Sequence, residues 1–196
     1  MSKIKQGIII IVALIACYRL YRGLKKINFN SKYEVGQKID SLNNVIVYYN
    51  GGVDNVEKRN TRDGYNLGLE FQCVEFVKRY YYEYYNHKMP DSYGHAISFF
   101  DKSITDGQLN AKRDLIQYTN PSTSKPEEGD LLVIKGSFFN KYGHVAIVSA
   151  VTDASIEIIQ QNPGPFSPSR ETFLLEKLAS GKWEMKNDRI LGWLRK

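Results

Sequence analysis

The spacing of apolar and polar residues changes along the chain and predicts where helices and strands lie. β-Branched and aromatic residues at 45–49, bounded by asparagines and glycines, predict a strand that ends in a tight turn. From Cys73 to Tyr84, large apolar residues recur at steps of three and four, which predicts a helix that begins near Cys73 and runs to about residue 86. A polar loop is predicted at 54–65 and a second, shorter helix at 93–103.

The C-terminal half has the pattern of a β-sheet. After a linker rich in Pro, Ser and Thr, four segments predict strands, at 130–135, 144–151, 155–161 and 189–194. Because helices come first and strands follow, we expect an α+β fold with helices packed on one side of an antiparallel sheet. No repeat or low-complexity tract interrupts this part, so residues 27–196 are predicted to form one domain.

The N-terminus has a different composition. Residues 7–17, GIIIIVALIAC, form an apolar run with basic residues on both sides. We interpret residues 1–26 as a membrane anchor or lipoprotein-type signal segment, since a buried helix with four consecutive isoleucines would need cover on all sides. The run is shorter than the roughly 18 apolar residues of a comfortable membrane span. A buried N-terminal helix of a soluble protein is the alternative.

Cys17 closes the apolar run and is a candidate for lipidation. The tetrad Leu14-Ile15-Ala16-Cys17 resembles a bacterial lipoprotein box, in which the cysteine is lipidated after cleavage. Lipidation predicts a mass shift on Cys17 and loss of residues 1–16, whereas an intact Met1 excludes it. Basic residues on both sides of the run leave the membrane orientation open. We expect the domain to face outside the cytoplasm, in the periplasm or cell envelope.

Charge and cysteine content narrow the classes of partner. The net charge of +6 suits work beside anionic lipid or cell-wall polymer. Lysines and arginines are scattered and no zinc-finger or RNP signature is present, so no nucleic-acid partner is predicted. Two cysteines and three scattered histidines lack the spacing of a disulfide framework or metal site, so neither metal nor cofactor is expected. We expect a monomer.

Cys73 is the candidate nucleophile. The positive end of a helix dipole and a neighbouring imidazolium stabilise a thiolate, and Cys73 is predicted to lie where the helix begins. Its backbone N–H, unpaired within the first turn, is free to stabilise an oxyanion, and the side-chain amide of Gln72 is a candidate second donor. Without this context, a lone cysteine is more often a small buried hydrophobic residue.

His144 is the candidate base among three histidines. It opens the apolar strand at 144–151, so a sheet would hold its backbone rigidly. His87 lies at a polar helix end, where compensation of the helix dipole explains it. His95, near the start of the second predicted helix, is the less favoured candidate for the site.

An imidazole base needs a partner that accepts its other N–H and fixes its tautomer. The third predicted strand ends in Gln160-Gln161-Asn162. With the period of two of a strand, Gln160 and Asn162 share one face while Gln161 points away. Either amide oxygen is a candidate to orient His144. The same polar cluster is also expected of any strand that ends in a turn.

These motifs together resemble a known family. Residues 72–76 (QCVEF), 143–148 (GHVAIV) and 161–162 (QN) are similar, in this order, to the CHAP superfamily of cysteine- and histidine-dependent amidohydrolases and peptidases. More closely they resemble the amidase domains of glutathionylspermidine synthetase/amidase and trypanothione synthetase. The resemblance implies a papain-like (NlpC/P60-type) fold, with Cys73 as nucleophile and His144 as base. In one departure, Gln160 stands where the amidase pattern has an acidic residue.

The resemblance implies hydrolysis of an amide bond through an acyl-enzyme. Peptidoglycan peptides are the substrate favoured by an extracytoplasmic anchor, and a glutathione-polyamine conjugate is the alternative favoured by the amidase likeness. The neutral Gln160 supports a second class of function, a catalytically silent CHAP module that only binds. A third class is a lipid or nucleic-acid binder that works through the basic surface.

Overall fold

The computed structural model of the protein describes residues 2–138 and 140–196. The described part has two α-helices, α1 (Lys3–Leu24) and α2 (Cys73–Tyr85), and a 3₁₀ turn (Ala96–Phe99). Its strands are β1 (Lys38–Leu42), β2 (Val45–Tyr48), β3 (Arg59–Arg62), β4 (Tyr65–Leu69), β5 (Gln108–Asn110), β6 (Leu115–Thr119), β7 (Leu131–Ile134), β8 (His144–Val151), β9 (Ser155–Ile159), β10 (Arg170–Lys177), β11 (Trp183–Met185) and β12 (Ile190–Arg195).

An antiparallel sheet of eight strands forms the body of the domain. Its strand order is β11-β10-β9-β8-β7-β12-β6-β5, so the C-terminal strand lies between β7 and β6. Two hairpins, β1–β2 and β3–β4, lie outside this sheet, and α2 packs against β8, β4 and β2. The α+β fold class predicted from the sequence is confirmed.

The alternation of side chains along β7 and β8 divides the core in two. Leu131 and Val133 face the cluster that α2 covers with Phe76, Val77 and other apolar residues. Leu132 and Ile134 face a second cluster whose members all belong to strands of the large sheet. The strand β7 and residues 145–148 of β8 therefore form continuous apolar runs in the sequence, because both faces of the sheet are covered there.

Two segments that were predicted from the sequence have a different conformation in the structure. The second predicted helix is reduced to the 3₁₀ turn, where the N–H of Ile97 donates to the carbonyl of Tyr142 (2.9 Å) instead of continuing a helix. The predicted loop at 54–65 contains β3, which pairs with β4. The polar sequence of β3, Arg59–Arg62, carries no strand pattern, and pairing with β4 determines its conformation.

Helix α1 is longer than the apolar run that predicts it. Its 22 residues extend about 33 Å at 1.5 Å per residue, which matches a hydrocarbon core of about 30 Å. None of its residues is buried against the protein, and its length and hydropathy suffice to cross a membrane. Cys17 is exposed within it. The apparent shortness of the run is offset because Tyr18, Leu20 and Tyr21 continue the helix.

Candidate active site

Cys73 and His144 line the same cleft, which has a volume of about 480 Å³. Cys73 is the first residue of α2 and His144 is the first residue of β8, as the sequence predicts. The walls come from the loops at 53–56, 92–96 and 140–143, together with the end of β4. Rigid elements therefore hold the two reactive side chains, while loops surround them.

Opposing effects act on the thiol of Cys73. Burial raises its pKa, while the backbone N–H groups of Val145, Val74 and Cys73 itself act in the opposite direction. Burial is the larger effect, so the pKa of Cys73 lies above its ordinary value. The thiol is therefore protonated at neutral pH in the resting protein.

His144 is held in one tautomer by Gln160. Its Nε2 lies 2.9 Å from Oε1 of Gln160, and since an amide oxygen only accepts, Nε2 carries the proton. The other ring nitrogen, Nδ1, is then unprotonated. Burial is the main reason that the pKa of His144 is lowered to about 4; the hydrogen bond with Gln160 opposes this shift and the positive charge of Arg189 adds to it. At neutral pH the imidazole is consequently an uncharged base.

Further hydrogen bonds hold the side-chain amide of Gln160 in one orientation. It is buried, and its Nε2 donates to the carbonyl of Pro168 and to the carboxylate of Glu171, both at 3.4 Å. These two acceptors place the amide oxygen, and not the nitrogen, toward His144. Of the two residues expected to hold the imidazole, Gln160 makes the hydrogen bond.

Asn162 holds Gln72 instead. Its Nδ2 donates to Oε1 of Gln72 (2.8 Å) and to the carbonyl of Val53 (2.9 Å). In turn, Nε2 of Gln72 donates to the carbonyls of Asn55 (2.7 Å) and Val53 (3.2 Å). Both amide hydrogens of Gln72 are therefore used, and the backbone N–H of Cys73 is the better-placed donor for an oxyanion.

A buried ion pair between Glu75 and Arg79 lies in the first turns of α2 and was not predicted from the sequence. The carboxylate of Glu75 accepts hydrogen bonds from Arg79 (2.6 Å), Asn60 (2.9 Å) and Gln161 (2.9 Å). Gln161 also donates to the carbonyl of Gln72 at 3.1 Å. The network thus ties the end of β9 to the residue that precedes Cys73. The i,i+4 spacing of Glu75 and Arg79 was the signal that could have revealed it.

The other two histidines have different places. His95 lies in the cleft wall, where its ring centroid is 4.4 Å from that of Tyr142. His95, the less favoured candidate from the sequence, is therefore a residue of the cleft lining. His87 is buried away from the cleft, and its Nε2 lies 2.9 Å from the carbonyl of Arg113.

The wall that carries His95 is fastened by Arg113. This fully buried guanidinium donates to the carbonyls of Asp91 (2.5 Å), Tyr93 (3.4 Å) and Ser98 (3.2 Å) and packs over the ring of Phe99 at 3.9 Å. These hydrogen bonds hold residues 91–98, which belong to no strand or α-helix, in one conformation.

Comparison with known proteins identifies the family. The family model described as CHAP domain matches residues 60–162, just over half of the chain, and includes Cys73, His144, Gln160 and Asn162. The chain belongs to the CHAP family. The CHAP domain is a domain of amidohydrolases and peptidases, and the family resemblance expected from the sequence is confirmed.

Individual relatives match parts of the chain. The chain is 30% identical over 105 residues to trypanothione synthetase from Crithidia fasciculata, a match that covers 54% of this chain and 16% of that protein. The crystal structure of a wild-type endolysin, LysIME-EF1, has a TM-score of 0.39 and 20% identity, covering 71% of this chain and 58% of that one. The crystal structure of Ly7917 has a TM-score of 0.35 and 18% identity, covering 63% and 53%.

Replacing Gln160 by glutamate should raise the pKa of His144 and speed the alkylation of Cys73 near pH 7 by about tenfold. A charge-assisted hydrogen bond is stronger than a neutral one, and about 1.4 kcal/mol corresponds to this factor. Glu171→Gln is combined with it so that the new carboxylate does not face Glu171. The measurement is the rate of iodoacetamide modification against pH in a Cys17→Ala background, where Cys73 alone reacts.

The control for this experiment is Gln160→Leu, which removes the acceptor without adding charge. It should leave Cys73 less reactive than in the parent protein. A pH profile that is the same with glutamine, leucine and glutamate at position 160 would show that this side chain does not tune the pair.

Proposed function

We propose that the protein is a cysteine-dependent amidohydrolase or peptidase that acts through an acyl-enzyme on Cys73. The observation that carries the proposal is the shared cleft, in which Cys73 begins a helix and His144 is fixed by Gln160. Sγ of Cys73 attacks the carbonyl carbon of the amide, and Nδ1 of His144 accepts the thiol proton. His144 then delivers this proton to the leaving amine, and water hydrolyses the thioester.

The charge state of the pair determines how the reaction starts. Since the pKa of Cys73 is raised and that of His144 is lowered, the resting pair is a neutral thiol and a neutral imidazole. Proton transfer then accompanies attack on the carbonyl. The oxyanion receives the backbone N–H of Cys73 at the positive end of α2.

We propose that residues 1–26 anchor the catalytic domain, residues 27–196, to a membrane on its extracytoplasmic side. The proposal is supported by the unburied apolar helix α1 with basic residues beyond both ends of its apolar run. The substrate proposed is a peptidoglycan peptide. A glutathione-polyamine amide is the second candidate, supported by the match to trypanothione synthetase, of which this chain spans only a small part.

The test uses the full chain in detergent micelles, incubated separately with peptidoglycan and with glutathionylspermidine. Released amines are identified by mass spectrometry and compared with the Cys73→Ala variant. Product that forms with the parent and is absent with the variant establishes the amidohydrolase and its substrate class. Equal product from parent and variant would contradict the proposal.

A catalytically silent CHAP module is the alternative to a hydrolase. It is favoured by the neutral partner of His144 and the raised pKa of Cys73, which both disfavour a thiolate-imidazolium pair. It predicts binding of the same substrates without product, and unchanged alkylation of Cys73 when His144 is replaced.

A further inference from the structure

The end of the anchor helix is bonded directly to the wall of the catalytic cleft. Asp54, in that wall, pairs with Lys25 at 3.0 Å and with Arg22 at 3.6 Å. Its backbone N–H also donates to the carbonyl of Lys25 at 3.0 Å. Arg22 itself belongs to both structures, since it lies in the last turn of α1 and lines the cleft that contains Cys73.

Backbone contacts as well as ion pairs join the end of α1 to the domain. A side chain at Gly52 would place its Cβ 2.4 Å from the carbonyl oxygen of Lys25, so backbone lies against backbone there. The segment after α1 is also fastened, because Asn30 donates to the carbonyl of Pro165 (2.8 Å) and Tyr49 donates to Asn28 (2.9 Å). Residues 25–30 are thus a docked segment and not a flexible tether.

The same wall supports the nucleophile. The carbonyls of Val53 and Asn55, on either side of Asp54, accept the side-chain hydrogens of Gln72, the residue before Cys73. A chain of contacts therefore leads from α1 through Asp54 to the start of α2.

The C-terminal end of α1 has the composition of a segment that lies at the surface of a bilayer. Tyr18, Tyr21, Arg22 and Lys25 combine aromatic and basic side chains, which concentrate at the level of lipid headgroups. If α1 spans the membrane, Arg22 lies at that level, and so does the part of the cleft wall that it forms.

We propose that the Asp54 contact holds the cleft at the bilayer surface, so that the enzyme acts on amide substrates that a lipid holds in the same membrane. This inference rests on the proposed function for the reaction and for the anchor. A substrate attached to lipid stays within reach of the cleft and gains effective concentration, whereas a peptide far from the membrane does not.

The first experiment places the cleft without using catalysis. The full chain carries Val56→Cys, at an exposed position of the cleft wall, together with Cys17→Ala and Cys73→Ala. A fluorophore at position 56 is measured in phospholipid vesicles with nitroxide either on the headgroup or at the end of the acyl chain. We expect strong quenching by the headgroup nitroxide and little by the other.

Variants of two ion pairs provide the matched comparison. Asp54→Ala should weaken headgroup quenching several-fold, because the wall loses its side-chain pairs with Arg22 and Lys25 and keeps only its backbone contacts with Lys25. Asp153→Ala removes the pair with Lys125, which lies away from the cleft lining, and should leave quenching unchanged. Absence of headgroup quenching in the parent, or equal quenching in all three proteins, would overturn the placement.

The second experiment tests the substrate class with the unlabelled full chain in vesicles. The probes are a peptidoglycan stem peptide free in solution, the same peptide on phosphatidylethanolamine through a short spacer, and the same lipid conjugate with a long polymer spacer. We expect the short-spacer conjugate to be hydrolysed at least about tenfold faster than the other two at equal concentration.

The outcomes separate this inference from the function on which it rests. Equal rates on all three probes overturn the preference for lipid-held substrates and leave the proposed hydrolase standing. Hydrolysis of none of them, with position 56 quenched, counts against the proposed hydrolase on this substrate while the placement of the cleft is supported.

Discussion

Replacing His144 by alanine should lower the rate of amide hydrolysis by on the order of 10³-fold while the protein stays folded, because the imidazole base that Gln160 holds is removed. Rates are measured with the full chain in detergent on the substrate that the parent cleaves.

The parent protein should keep its kcat/KM as the pH falls below 6.5. The pKa of His144 is lowered to about 4, so the imidazole stays unprotonated until the pH approaches that value.

The matched control is His95→Ala, which removes another imidazole from the same cleft. His95 contacts Tyr142 and makes no hydrogen bond to Gln160, so its loss should change the rate far less. Added imidazole should restore part of the activity of the His144→Ala protein and none to Cys73→Ala. Equal losses for the two histidine variants would remove His144 from its assigned role.

Replacing Glu75 by alanine should lower the free energy of unfolding by roughly 3–5 kcal/mol, because it leaves the buried guanidinium of Arg79 without its counter-charge. The loss also frees the hydrogen bonds of Asn60 and Gln161. Thermal and denaturant unfolding of the full chain in detergent measure the effect, which corresponds to a fall in Tm of about 6–20 °C.

Glu83→Ala is the comparison on the same helix. Glu83 pairs with Arg62 at the surface, where an ion pair contributes about 0–1 kcal/mol. The double variant Glu75→Leu with Arg79→Met should be more stable than Glu75→Ala alone, since neither position then leaves an unpaired buried charge. A Glu75→Ala protein as stable as Glu83→Ala would show that the buried pair contributes little.

Local patterns in the sequence predicted the elements that carry the reactive groups. Cys73 begins α2 because apolar residues follow it at helical spacing, and His144 begins β8 because the apolar run that follows it has the pattern of a buried strand. A strand was predicted at 155–161; β9 ends earlier, at Ile159, and Gln160 directly after it makes the hydrogen bond with His144. These features depend on a few neighbouring residues.

The rest depends on contacts between distant parts of the chain. The strand β6 was not predicted, and no local pattern indicates that β12 lies between β7 and β6. Both features are determined by pairing with strands that are distant in the sequence. In the site, Asn162 was expected to be an alternative support for His144. Its Nδ2 donates to Val53 and Gln72, and its Oδ1, the atom that would accept from His144, has no hydrogen-bond partner among the described residues. A loop that docks from far away in the sequence leaves no local pattern to predict.

Arg113 binds the cleft wall through main-chain oxygens. The carbonyls of Asp91, Tyr93 and Ser98 exist whatever side chains those residues carry, so these three hydrogen bonds do not depend on the sequence of the wall. Gly94 and Ser98 are more constrained, since the φ of +116° at Gly94 excludes most other residues and the hydroxyl of Ser98 bonds both Arg113 and the carbonyl of His95. Several side chains that line this wall can therefore be exchanged by single substitutions while Arg113 and the core of the domain stay as they are.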